Sequence, residues 1–175
     1  MAPTIVLITG GNRGLGQGLV KTFLAEPNYV SPSLIPGSLT WRHETDDRRW
    51  QTVIAAVRDP GHSTAQALAG LPQGPGSTLI TVQYDAGREQ GAADAVAQLR
   101  QKHGLDHLDI VVANAGISKS WPFVKDVKRA EIQEHVGVNV AGVVELFQAT
   151  RDLLQRSTTK KPVFAAVGSL AGSLA

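Results

Sequence analysis

With 175 residues, 42% of them hydrophobic and 18% charged, the chain is long enough to bury the core of one domain and too apolar to be disordered. Its net charge is only +2, the basic residues are scattered, and three Trp, two Tyr and four Phe leave little to stack on bases, so nucleic acid is not an expected partner. The absence of cysteine rules out disulfides, thiolate nucleophiles and cysteine-type zinc sites, and it suits a reducing, cytoplasmic setting.

The opening MAPTIVLITGG has neither the basic flank of a leader peptide nor an apolar run long enough for a membrane span, so no membrane partner is expected. Thr4–Thr9 is a short aliphatic run bounded by glycines, the pattern of a parallel strand buried on both faces. Gly14–Glu26 follows with Leu15, Leu19, Val20, Phe23 and Leu24 at helical spacing. Val53–Val57 is the second expected strand. After it, Ser63 is a candidate cap for a short helix that Gly70 ends.

Thr78–Val82 is the third strand and Glu89–His103 an alanine-rich amphipathic helix. His103 and His107 lie four apart, but Gly104 between them interrupts a helix, so a turn is expected there rather than a metal site. Leu108–Ala113 is the fourth strand. A long helical stretch then runs through Ile132, Val136, Val140, Val143, Phe147 and Leu154, and Pro162–Val167 is the fifth strand. Strands alternating with helices imply an α/β fold, a doubly wound parallel sheet of Rossmann type, in a single domain over residues 1–175.

One segment fits no element. Val30–Gln51 stands where a short helix-to-strand connection belongs, and it carries two prolines, two tryptophans and no sustained period. It reads as an anomalous, unstructured insertion. Valine-serine can be encoded by a splice-donor-like sequence and glutamine by an acceptor-like CAG, so a translated intron is the expected origin, with a functional lid as the alternative.

Thr9–Gly16, TGGNRGLG, joins the first strand to the first helix. Gly10, Gly14 and Gly16 allow a tight turn, and the backbone of Asn12, Arg13 and Leu15 can approach a pyrophosphate that the helix N-terminus favours. Gln17 after Gly16 does not complete a Walker loop, and Leu19 occupies the third glycine position of GxGxxG, so the pattern is TGxxxGxG. The ribose-reading position is expected about twenty residues beyond the glycines, at the end of the second strand. Arg58 lies 42 positions after Gly16, and without the 22 anomalous residues the separation is 20. Arg58, followed by Asp59, would accommodate the 2′-phosphate of NADP, and Arg13 adds a second positive charge in the loop, so NADP(H) is preferred over NAD.

With these pieces in place the sequence resembles the short-chain dehydrogenase/reductase family, in wording most like its fungal norsolorinic acid ketoreductase-like and carbonyl reductase branch. Asn114, Ala115 and Gly116 in ANAG match the family signature after the fourth strand, Asp85 matches its acidic residue at the adenine, Asn139 in VNVAG its helix asparagine, and Ser169 in GSLAG its GSxxG serine. The resemblance implies reduction of a small-molecule carbonyl substrate by hydride transfer, with Ser169 and Asn139 as catalytic residues and an oligomeric complete parent. Each residue also has a plainer reading: a turn for Asn114, backbone satisfaction for Asn139, a helix cap for Asp85, a strand-end turn for Ser169.

The family's tyrosine and lysine, spaced as Tyr-x-x-x-Lys, are not present. Tyr29 and Tyr84 are followed four residues on by Ser33 and Arg88. The chain therefore reads as truncated, incomplete at the C-terminal side of the fold and inactive as written, with an exposed fifth strand and a tendency to aggregate. A non-catalytic dinucleotide-binding module and a non-functional fragment are the alternatives.

Overall fold

The computed structural model describes residues 3–25, 51–119, 121–159 and 161–169. Five parallel strands form one sheet: β1 (Thr4–Thr9), β2 (Gln51–Val57), β3 (Ser77–Gln83), β4 (Ile110–Ala113) and β5 (Val163–Ala166), in the spatial order β3-β2-β1-β4-β5. Between them run α1 (Gly14–Ala25), α2 (Ser63–Gln66) continued by a 3-10 turn (Ala67–Gly70), α3 (Gly91–His103), α4 (Arg129–Val136) and α5 (Gly142–Gln155). The doubly wound α/β architecture expected from the sequence is the one observed.

Period-two geometry explains why the sheet is covered on both sides. Ile5 and Leu7 of β1 point to one face, into a cluster with Ile54, Leu99, Leu146 and Leu153 under α3 and α5. Val6 and Ile8 point to the other, with Val20, Leu24, Val53 and Val57 under α1. Burying a side chain of this size contributes about 1.5–3 kcal/mol, and all four of these β1 residues are essentially inaccessible.

Element boundaries differ from the sequence reading in instructive places. β2 begins at Gln51, not Val53: the Gln51 amide donates to the Gly76 carbonyl at 3.1 Å, its Cα pairs with Thr4 and Ser77, and its side chain is buried. Gln51 therefore belongs to the sheet and not to the anomalous segment, whose remaining residues, 30–50, lie outside the described residues. The short helix after β2 is capped by His62, whose Nδ1 accepts from the Thr64 amide at 3.3 Å, while Ser63 is already its first residue. The turn expected at Gly104 is present, with φ +65° and its amide closing on Arg100 and Leu99.

The expected long helix is interrupted. A π turn, Gly137–Ala141, separates α4 from α5, and the burial stripe changes with it. The buried residues of α5 are Gly142, Leu146, Thr150, Leu153 and Leu154, whereas Ile132, Val136, Val140, Val144 and Phe147 are 44–56% exposed. Beside them β5 is the sheet edge among the described residues, with Val163 also exposed and Phe147 set edge-on against Phe164 at 5.1 Å.

At the end of the strands where β1 and β4 begin, Asp109 is wholly buried and fully occupied. Its Oδ2 accepts from the Ile5 amide at 2.8 Å, and its Oδ1 accepts from Ser157 Oγ at 2.6 Å and from the amides of Thr158 and Thr159 at 2.9 and 3.2 Å. One carboxylate thus ties β1, β4 and the turn before β5 together.

Candidate functional site

The strand order reverses direction at β1, where the chain leaves for β2 on one side and returns to β4 on the other. In such sheets the crevice at the carboxyl ends of these strands is the place where ligands bind. The loops that leave β1, β2, β3 and β4 meet there.

The β1 loop is shaped by two glycines. Gly10 has φ +65° and Gly14 φ +53°, the left-handed region that a side chain disfavours. Gly16, at the start of α1, leaves no room for a larger residue: a Cβ would run into the Gly10 carbonyl oxygen and lie 2.6 Å from Asn114 Nδ2. The close fit at Gly16 brings the first turn of α1 down onto the ends of β1 and β4. Arg13, Gly14 and Leu15 remain on the surface, Leu15 60% exposed, so the outer rim of the turn presents backbone and the Arg13 guanidinium outward. Asn12 turns its side chain inward, Nδ2 donating to Thr64 Oγ1 at 2.6 Å, which fastens the β1 loop to α2.

Thr9 has a role that the sequence reading missed. It is 1% exposed, and its Oγ1 accepts from the amides of both Asn114 and Ala115 at 2.9 Å. Its carbonyl accepts from Asn114 Nδ2, also at 2.9 Å. The side chains of Thr9 and Asn114 thereby lock the β1 and β4 loops into one unit. The available signal was a hydroxyl residue ending an otherwise aliphatic strand. Its partner lies more than a hundred positions away, so no local pattern points to it.

Arg58 and Asp59 follow β2 on the surface. Asp59 Oδ1 accepts from the Gly61 amide at 2.8 Å, and the Arg58 carbonyl accepts from Gln83 Nε2 at 3.3 Å. Among the described residues, neither the Arg13 nor the Arg58 guanidinium has an ion-pair partner. Asp85, after β3, accepts from the Gly87 amide at 3.0 Å, an Asx turn rather than the cap of α3, whose N-cap is Gln90.

Asn139 stands in the middle of the π turn and reaches the β4 loop. Its Oδ1 accepts from the Ile117 amide and its Nδ2 donates to the Ile117 carbonyl, both at 2.9 Å. The amide side chain is thus engaged twice with the main chain just beyond Gly116. Ser169 emerges three residues beyond β5 and is exposed, on a chain kept parallel to β4 by the bond from the Val167 amide to the Ala113 carbonyl at 3.0 Å. The structure therefore gathers Gly10–Gly16, Asn114–Gly116 and Asn139 through direct contacts, while Arg58, Asp59, Asp85 and Ser169 stand at the ends of the flanking strands.

A nicotinamide dinucleotide suits this donor set. Added Cβ atoms at Gly10 and Gly16 would fill the turn, which leads into the N-terminus of α1; one exposed arginine, Arg13, lies within the loop and the other, Arg58, just after the neighbouring strand β2.

The short chain dehydrogenase family profile matches residues 46–174. The norsolorinic acid ketoreductase of Emericella nidulans is 38% identical over 166 residues, which are 95% of this chain and 54% of the relative. A short chain dehydrogenase of Penicillium aethiopicum is 37% identical over 174 residues, 99% of this chain and 59% of the relative. Among solved structures, the RhlG/NADP complex of Pseudomonas aeruginosa superposes with a TM-score of 0.72 at 24% identity, covering 98% of this chain and 57% of that one. The NADPH-bound carbonyl reductase from chicken fatty liver gives 0.63 at 23% identity, over 89% and 49%. The chain spans about half the length of the curated relatives it matches.

Proposed function

The chain belongs to the short-chain dehydrogenase family, and on that premise we propose that it is the cofactor-holding part of an NADP(H)-dependent carbonyl reductase. The observation that carries this reading is the interlock of Thr9, Gly16 and Asn114, which builds a rigid, outward-facing turn at the strand-order switch. The main chain of Gly10–Gly16 would hold the pyrophosphate, Arg13 and Arg58 the 2′-phosphate, Asp85 the adenine end, and Asn114–Gly116 the nicotinamide end. Asp59, beside Arg58, would orient the same ribose-phosphate loop.

When bound, the dinucleotide supplies the hydride. The chain's own contribution is placement: Ser169 at the mouth of the crevice would hydrogen-bond the carbonyl oxygen of a small-molecule substrate, and Asn139 would brace the loop beneath the nicotinamide. The bonds to Ile117 use one Nδ2 hydrogen and one Oδ1 lone pair, which leaves the second Nδ2 hydrogen and the main chain of Asn139 to hold a water. The ketone class suggested by the fungal relatives is part of the same proposal.

Within these 175 residues Tyr29 and Tyr84 precede Ser33 and Arg88 at the fourth position, so no Tyr-x-x-x-Lys pair is present to supply the proton. The second reading, favoured by that observation, is that the chain as given binds the dinucleotide without turning it over. Titration of NADPH and NADH against the purified chain, followed by a turnover assay with a reactive quinone, tests both. Tight NADPH binding with no turnover is the expected result. Equal, weak affinity for the two coenzymes would refute the NADP(H) assignment.

A further inference from the structure

Tyr84, the last residue before Asp85, is buried, and its hydroxyl donates to the Gly142 carbonyl at 3.0 Å. Gly142 is the first residue of α5, where the i+5 bonding of the π turn returns to i+4. We propose that Tyr84 is a positioning residue of the dinucleotide site, its hydroxyl holding the π turn in the register that sets Asn139 against Ile117.

A π turn inserts one residue into a helical ladder, and its position along the helix must be fixed from outside because neighbouring registers differ little in their own bonding. Two features fix it here. The Tyr84 hydroxyl marks one carbonyl, and Gly142 packs so closely on the chain after β3 that a Cβ there would lie 2.5 Å from the Ala86 oxygen and 3.0 Å from the Ala86 Cβ. Val138, inside the turn, also reaches that loop, coming within 3.4 Å of where a Gly87 side chain would begin. The loop after β3 therefore grips the turn on both sides of Asn139.

From Asn139 the contacts continue to the site. The paired bonds to Ile117 hold the main chain that follows Ala115 and Gly116, and Asn114 at the head of that loop is bonded to Thr9. Slippage of the π turn by one residue would rotate Asn139 by about 100° around the helix axis and break both Ile117 bonds together. Tyr84 touches no cofactor-facing atom itself, so it acts through Asn139. This inference rests on the dinucleotide reading above for its functional meaning, but not for its physical test.

The test is hydrogen exchange by mass spectrometry on the full chain, with NADPH as the probe ligand, for the parent, Tyr84→Phe, Asn139→Ala and the double variant. Tyr84→Phe keeps the ring and removes only the hydroxyl. The expected result is exchange of the Ile117 segment faster by about tenfold with β1 and β2 unchanged, NADPH affinity weaker by about three- to tenfold, and no further effect of Tyr84→Phe once Asn139 is alanine. Additive effects, or an unchanged Ile117 segment in Tyr84→Phe, would overturn the proposal. Coupled exchange with no NADPH binding by any variant would instead overturn the dinucleotide reading while upholding the Tyr84–Asn139 linkage. Should Tyr84→Phe not fold, the parent labelled with 3-fluorotyrosine answers the same question: the 19F resonance of residue 84 moves when Asn139→Ala is introduced, and a stationary resonance overturns the linkage.

Discussion

Replacing Thr9 by valine isolates the bonds that join the two loops of the site. Valine has nearly the same shape, so no cavity opens, and the change falls on the hydroxyl alone. Thr9 Oγ1 accepts from the Asn114 and Ala115 amides at 2.9 Å and donates weakly to the Val112 carbonyl at 3.4 Å. A buried donor left without a partner costs about 1–3 kcal/mol. The Asn114 amide keeps its second acceptor, the Val112 carbonyl at 3.1 Å, whereas the half-buried Ala115 amide is stranded, so the change should cost about 1.5–3 kcal/mol. Thr9→Ser is the control: it keeps the oxygen, loses one methyl group and should cost about 1 kcal/mol. Urea unfolding measures both. With a slope of about 2 kcal/mol per molar for a protein of this size, Thr9→Val should lower the midpoint by about 0.7–1.5 M and Thr9→Ser by about 0.5 M. A valine variant as stable as the serine variant would refute the reasoning, because it would mean that the hydroxyl carries no net stabilisation.

Two glycines in one helix should respond with opposite signs. A Cβ at Gly16 meets backbone and Asn114, whereas at Gly18 it meets nothing within 4 Å; Gly16→Ala should lose about 1–3 kcal/mol and Gly18→Ala gain about 0.5–1 kcal/mol, by the same urea assay. Neutralising the surface arginines tests coenzyme choice. Arg58→Gln should weaken NADPH about tenfold or more and leave NADH unaffected, as read by fluorescence titration, and equal losses for both coenzymes would exclude a 2′-phosphate contact. Burial, with Glu145 and Asp85 adding repulsion, pushes the Tyr84 phenol up to about 12 from 10.0. Its raised folded value means the neutral phenol's contribution is intact below pH 10 and is lost as pH rises toward 12, so parent stability should fall more steeply than that of Tyr84→Phe across that window. The exposed row Val136, Val140, Val144 and Phe147 beside the β5 edge should make the isolated chain self-associate; a single sharp monomer peak in size-exclusion chromatography would contradict this.

The five strands were readable because each is a short aliphatic run between glycine- or proline-rich turns, and parallel strands buried on both faces need no alternation. The TGxxxGxG turn and ANAG were equally legible, since close backbone approach admits few residues besides glycine and alanine. The π turn was not. Hydrophobic steps of three, four and seven continue through Val136, Val140 and Val143 as though the helix were regular, and the extra residue shows only when Gly142 meets Ala86. The same pattern suggested a buried stripe, but α5 buries Leu146, Thr150 and Leu153 and leaves the valine row outside. The functions of Thr9 and Asp109 were hidden for a different reason. Each bonds to groups far along the chain, and periodicity reports a residue's face, not its distant partner. Gln51 was placed at the end of the insertion because its codon can mimic a splice acceptor, a signal that carries no structural information, and Gln51 pairs in the sheet with Thr4 and Ser77.

The order β3-β2-β1-β4-β5 places the first strand made at the centre of the sheet, and one side of it stays open until a strand more than a hundred residues later arrives. At synthesis rates of about 5–20 residues per second, β1 waits on the order of 5–20 seconds for β4. The pairing that completes the crevice is therefore among the least local in the fold, the kind that slows folding most. Until β4 docks, Thr9 lacks the Asn114 and Ala115 amides and Ile5 lacks the Asp109 carboxylate, so an aliphatic strand waits with one edge open to pairing with another chain.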